Sequence, residues 1–96
     1  MTPTLNLPSE LTIYAVAELR PQWLAWMAAA DDDALSADAA DVSEIDGAGL
    51  QLVLSLARAL ERDGRTLAVQ NPSATFDAAC RTLGLDALLT TGKASA

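Results

Sequence analysis

Asp41-Val42-Ser43-Glu44-Ile45-Asp46-Gly47-Ala48-Gly49-Leu50 is a polar turn that opens directly into the most helical segment of the chain. Asp46 is a natural N-cap, because its carboxylate can accept hydrogen bonds from backbone N–H groups that the first helical turn leaves unpaired. Two glycines follow inside that turn. Each costs about 1 kcal/mol relative to alanine in a helix, so Gly47 and Gly49 point to a backbone that something approaches closely. Either the helix start packs tightly against its own sheet or turn, or it forms a docking surface for a partner. Local chemistry leaves both readings open.

Downstream, the periodicity predicts a helix from about Gly47 to Arg62. Leu50, Val53, Leu54, Ala57 and Leu60 form its core face, widened by Leu52 and Leu56, and Gln51, Ser55, Arg58 and Arg62 form a narrow polar stripe. Arg58 and Arg62 lie toward the C-terminal end, where cations favour the helix dipole, and Gly64 is placed to terminate it. Thr66 to Asn71 is the clearest strand. Pro72-Ser73 then opens a helix from about Ser73 to Leu83 that buries Phe76, Ala79, Cys80 and Leu83, with Gly84 as its stop. Cys80 is expected to be a small core residue, since a reactive thiol needs a cationic neighbour or a helix N-terminus. Leu85 to Leu89 offers a final short element, and Thr90 to Ala96 reads as a frayed tail.

Upstream, Ala34 to Ala39 offers a central strand with Leu35, Ala37 and Ala39 on one face, weakened by its alanines. Asp31-Asp32-Asp33 reads as a solvated run that ends the preceding helix, although its carboxylates oppose the negative end of the dipole. Three adjacent acids point in different directions and make a poor metal site. Ala15, Leu19, Trp23, Trp26 and Met27 follow one helical face, with Glu18 and Gln22 opposite, which predicts a helix from about Ala15 to Ala30. Two features oppose it. Leu11 to Val16 has strand propensity, which allows an extended lead-in. Pro21 implies either a kink or a helix that begins late enough to hold it in the first turn. Leu5 and Leu7 alternate with Thr4 and Asn6 in a short edge strand closed by Pro8. Strand and helix thus alternate along the chain, predicting a single α/β domain over residues 1–96, with a core of about 5–89. Its sheet is expected to be parallel-rich and mixed, of about four strands with crossover helices.

The chain has 96 residues, 51% of them apolar, enough for one core. Thirteen acidic residues against six basic ones give a formal charge of −7, which repels nucleic acid and anionic lipid headgroups. The longest nearly uncharged apolar stretch, Trp23 to Ala30, is far shorter than the roughly 20 residues of a membrane-spanning helix. The N-terminus lacks the basic start and apolar run of a secretory signal, so a cytoplasmic location is expected. One cysteine excludes an intramolecular disulfide, and the absence of histidine removes the commonest metal ligand and general base. No catalytic residue, metal or cofactor is expected, and the chain reads as a non-enzyme. Backbone amides at the helix start could hold an anion, but Asp41, Glu44 and Asp46 already place negative charge there, and no nucleophile-base pair or Gly-rich cradle accompanies them.

The order of these elements resembles the STAS domain of bacterial anti-sigma factor antagonists, over roughly Leu5 to Leu89. Pro8-Ser9-Glu10-Leu11 resembles the Gly-Glu-Leu that leads into the family's first helix. Asp41 to Leu50 resembles the signature Asp-x-Ser-x-x-Asp-Ser-Ser-Gly-Leu, and Asn71-Pro72-Ser73 through Gly84-Leu85 resembles the last strand-to-helix segment. The resemblance favours the helical reading after Leu11. It also implies that the loop and the helix it opens form a surface that docks a protein partner, often a GHKL-type kinase. A hydroxyl in the Ser-Ser pair, usually the second, is phosphorylated there to release the partner. Such a phosphate meets free N–H groups and the positive dipole end, yet adds nearly two negative charges to an interface. Here the pair is Gly47-Ala48, so neither residue can take a phosphate. Ser43 matches a turn-forming serine of the pattern, expected to cap the loop backbone.

The resemblance therefore implies an interaction module. Its expected docking residues are Ser43, Glu44, Asp46, Gly47, Ala48, Gly49, Gln51, Ser55 and Arg58. Its expected partner is an anti-sigma factor, a GHKL-type kinase or another signalling protein of a chemotaxis-type or two-component pathway. The alternative is a small STAS regulatory subunit of a bacterial lipid-transport ABC system, bound to the ATPase through the same region.

Overall fold

A computed structural model describes residues 3–85. Two short strands, β1 (Leu5–Asn6) and β2 (Glu10–Leu11), precede helix α1 (Ile13–Ala29). Strands β3 (Ala34–Asp38) and β4 (Glu44–Ile45) lead into α2 (Gly47–Arg62), and β5 (Thr66–Gln70) leads into α3 (Ala74–Thr82). Among the described residues the strands form two sheets, one in the order β1-β3-β5 and one pairing β2 with β4. Every pairing is parallel: Leu5 faces Ala37, Leu35 faces Leu67, and Leu11 faces Ile45. Parallel neighbours cannot be joined by a hairpin. Here α1 carries the chain from β1 to β3, α2 carries it from β3 to β5, and the two helices pack against each other. This is the expected parallel-rich α/β architecture with crossover helices.

The central strand β3 buries Leu35 and Ala37, and Ala39 just beyond it is buried on the same alternation. Helix α2 matches its expected bounds and buries Leu50, Leu52, Val53, Leu56, Ala57 and Leu60. Leu54 is only half-buried at the margin of that face, and Gln51, Ser55, Arg58 and Arg62 are exposed. Gly64 ends the helix region at φ 76°, a left-handed conformation suited to glycine. Cys80 is fully buried and not disulfide-bonded, consistent with a small core residue.

Three details depart from the periodicity. Helix α1 begins at Ile13, not Ala15, and the extended lead-in shrinks to the two residues of β2. It also runs through Pro21, which stands well inside it, so the late-start alternative does not hold. Leu83 was expected in the core, yet it is 53% exposed. Leu83 is the C-cap residue, one position past the end of α3 at Thr82, and the chain leaves the helix immediately after it at Gly84, φ 71°. The expected element at Leu85 to Leu89 and the tail at Thr90 to Ala96 lie outside the described residues, apart from Leu85, which is half-buried.

The carboxyl end of α1, just before the acidic run, is capped from elsewhere in the chain. Arg65, at the entrance to β5, donates through Nη1 to the Ala30 carbonyl at 3.2 Å and reaches the Met27 carbonyl at 3.5 Å. Its Nη2 bonds Asp63 at 3.0 Å. A guanidinium thus meets the carbonyls at the negative end of α1, although the helix has no basic residue in its own last turn.

Candidate functional site

The loops that follow β1, β3 and β5 gather at the carboxyl ends of these parallel strands, the edge at which open α/β sheets present their ligand-binding loops. The carbonyl of Ser9 accepts from the backbone N–H groups of Ser43 and Glu44, at 2.9 and 3.0 Å, and from the Ser43 hydroxyl at 3.2 Å. On the other side, Ser73 donates its hydroxyl to the Val42 carbonyl at 2.6 Å and accepts from the Phe76 N–H at 3.1 Å. One serine therefore caps α3 and pins the loop beside it. Asp38, at the end of β3, accepts from the Ala40 N–H at 2.8 Å and from the Asn71 side-chain amide at 3.0 Å. Asn71 takes φ 50°, a left-handed conformation that asparagine tolerates better than most residues.

Asp46 carries out the expected capping and a second role as well. Its Oδ1 accepts from the Gly49 N–H at 2.9 Å, closing the first turn of α2. Its Oδ2 accepts from the Ile13 N–H, also at 2.9 Å, at the first residue of α1. Thr12 occupies the N-cap position of α1 but makes no capping bond; its hydroxyl donates to Glu10 Oε1 at 3.1 Å. One carboxylate thus serves two helix starts and lies at the positive end of both dipoles. The Ile13 N–H, followed by that of Gly49, holds the Asp46 carboxyl below its ordinary value of 3.8.

The two glycines separate into two roles. A Cβ on Gly49 would overlap the carbonyl of Leu11, so the backbone of β2 presses directly on the first turn of α2. That carbonyl also accepts from the Asp46 N–H at 3.3 Å. Close packing accounts for Gly49. A Cβ on Gly47 would meet nothing within 4 Å. No internal contact requires this glycine, and it is exposed beside the half-buried Ala48.

Of the residues expected to dock a partner, Ser43, Glu44, Asp46, Gly47 and Ala48 come together at this edge, with Gly49 buried beneath them. Gln51 follows on the next turn, exposed. Ser55 and Arg58 are not part of this cluster. They line a groove between α1 and α2, and Arg58 lies roughly 16 Å along α2 from Gly47, taking 1.5 Å of rise per residue. Two residues of the edge are not apparent from periodicity. Ile13 is 61% exposed and Tyr14 is 89% exposed, at the start of α1 that Asp46 caps. Strand propensity in Leu11 to Val16 conceals them; an Ile-Tyr pair at a helix start, outside the apolar stripe, is the signal that reveals them.

A family model described as "Mlab, STAS domain" matches residues 1–90. The chain belongs to the STAS domain family. The match takes in all three stretches on which the resemblance rests, and the structure explains why they occur together in this STAS domain. Residues 8–11 supply β2 and the Ser9 and Leu11 carbonyls, residues 41–50 supply β4 and the capped start of α2, and residues 71–73 hold the loop from the far side. STAS domains are in general non-enzymatic regulatory modules that bind protein partners. No curated protein matches the chain. Among the described residues, no helix is long and apolar enough to cross a membrane.

Proposed function

We propose that this STAS domain is a cytoplasmic, non-enzymatic regulatory module that docks a protein partner through the face around Asp46, without a phosphorylation switch at 47–48. The observation that carries the reading is the exposure of Gly47, with Ala48 half-buried beside it, next to Asp46, which binds the start of α1, where Tyr14 and Ile13 are exposed. Large apolar side chains beside a bare helix start give a partner both hydrophobic contact and close backbone approach. Tyr14 is well suited to such a contact, since aromatic residues are enriched where binding energy concentrates.

The partner in this reading is a signalling protein: an anti-sigma factor, a GHKL-type kinase, or a component of a chemotaxis-type or two-component pathway. A second reading, a small STAS regulatory subunit of a bacterial lipid-transport ABC system, is supported by two observations. The matching description reads Mlab and not anti-sigma factor antagonist. Gly47-Ala48 also lacks the hydroxyl on which the antagonist switch depends. Affinity capture with the wild-type chain and with Gly47→Arg as baits tests the docking face. The variant side chain projects into open space, so it is expected to leave folding intact and to abolish capture. Equal recovery of the same partner by both baits overturns the reading. Recovery of an ATP-binding subunit whose hydrolysis the wild-type chain alters selects the transporter, and recovery of a kinase or anti-sigma factor selects the signalling pathway.

A further inference from the structure

The charge of this chain is distributed unevenly in a way that the docking face does not use. Six basic residues oppose thirteen acidic ones. Arg65 caps the end of α1 and binds Asp63, Arg81 pairs with Asp77, and Lys93 lies outside the described residues. The remaining three, Arg20, Arg58 and Arg62, all line one groove of about 320 Å³ between α1 and α2, and no acidic residue lines it. All three are exposed and have no hydrogen-bond or ion-pair partner among the described residues. Arg58 and Arg62 stand four residues apart on α2, where like charges repel each other. The floor between them is apolar, including Trp23 from α1 and Leu56 from α2, and Leu24 remains 45% exposed at its edge.

The geometry points to a second docking site, separate from the Asp46 face, that takes an acidic amphipathic segment of a partner protein. Guanidinium groups on both helices flank an apolar trough. Carboxylates flanking an aromatic or leucine side chain would meet the arginines in paired hydrogen bonds while the apolar group covers Trp23 and Leu24. A small anion would satisfy the arginines and leave the floor exposed. Elsewhere the acidic surface repels the same segment, which confines it to this groove. The inference does not depend on the Asp46 face, because the groove lies toward the other end of α2.

A displayed library of short random peptides, selected on the whole chain and depleted on the Arg58→Gln/Arg62→Gln double variant, tests the site. Enriched sequences are expected to place Asp or Glu on both sides of an aromatic residue or leucine. Fluorescently labelled synthetic copies should bind the double variant about tenfold more weakly than wild type, and bind Gly47→Arg as tightly as wild type. Leu24→Glu keeps every arginine and spoils the trough; it should weaken binding as well, and it serves as the second variant if thermal melts show that the double variant is unfolded. Enrichment of neutral or basic peptides, no enrichment above the depleted pool, or equal binding to wild type and Leu24→Glu overturns the inference. Displacement of the peptide by inorganic phosphate that chloride at equal ionic strength does not reproduce assigns the groove to a small anion, and overturns it too.

Discussion

At the scale of single residues, the start of α2 shows how two glycines with the same intrinsic cost have different reasons to be there. Gly49 lies against the Leu11 carbonyl, so a methyl group there forces β2 and α2 apart. Overpacking of this kind costs about 1–3 kcal/mol, and more when the obstructing group is backbone. Gly47 faces open space and has no positive φ, so alanine at that position only restricts the unfolded chain and improves helix propensity. Gly47→Ala is therefore expected to stabilise the domain by up to about 1 kcal/mol, and Gly49→Ala to destabilise it by ~3 kcal/mol or more. Urea unfolding of the two variants beside the wild type measures both. A Gly49→Ala variant as stable as wild type would show that β2 does not bear on the helix as described.

At the scale of elements, α1 carries an interior proline. Pro21 has no N–H for the Ala17 carbonyl, and its ring crowds that group, a cost of ~3 kcal/mol in a helix interior. Part is offset because proline also restricts the unfolded chain, by about 1 kcal/mol. Pro21→Ala is accordingly expected to raise stability by about 2 kcal/mol, read as a higher urea midpoint with unchanged slope. A lower midpoint would mean that the proline fixes a helix geometry on which the packing depends. How far each element is legible in the sequence follows from where its determinants lie. Helix α2 carries Asp46 at one end and Gly64 at the other, both within its own stretch, and its bounds match expectation. The N-terminal cap of α1 comes from Asp46, thirty-three residues away, and the guanidinium at its C-terminal end comes from Arg65. Local periodicity therefore misplaces its start. Strands β2 and β4 are two residues each and exist through their pairing with one another, which no local propensity encodes. The candidate site was legible in part for the same reason: Asp46, Gly47 and Ala48 stand in one motif, whereas the start of α1, with Ile13 and Tyr14, is tied to Asp46 by an Ile13 N–H bond that only the tertiary structure makes.

At the scale of the whole molecule, carboxylates join segments that lie far apart in the chain. Asp46 ties the starts of α1 and α2, and Asp38 ties the end of β3 to the turn after β5. Both are held below their ordinary value of 3.8, Asp38 chiefly by the Ala40 N–H and then by the Asn71 amide, Asp46 chiefly by the Ile13 N–H. A carboxyl with a depressed folded pKa binds fewer protons in the native state than in the unfolded one, so its contribution is complete above that ordinary, unfolded value. That contribution is lost as pH falls through the folded value. Stability is therefore expected to be level with respect to these two groups above about pH 5 and to fall below about pH 4. Asp46→Asn isolates one of them. Gly49 and Ile13 donate to different oxygens of the carboxylate, and an amide replaces one of these with an NH2 donor that cannot accept, so one of the two bonds is lost; the amide does not titrate. The variant should be less stable than wild type at neutral pH, and the gap should narrow as the wild-type carboxylate becomes protonated. Urea midpoints measured from pH 7 down to pH 3 test this directly. A gap that stays constant across that range would show that the charge of Asp46 contributes nothing to holding the two helix starts together.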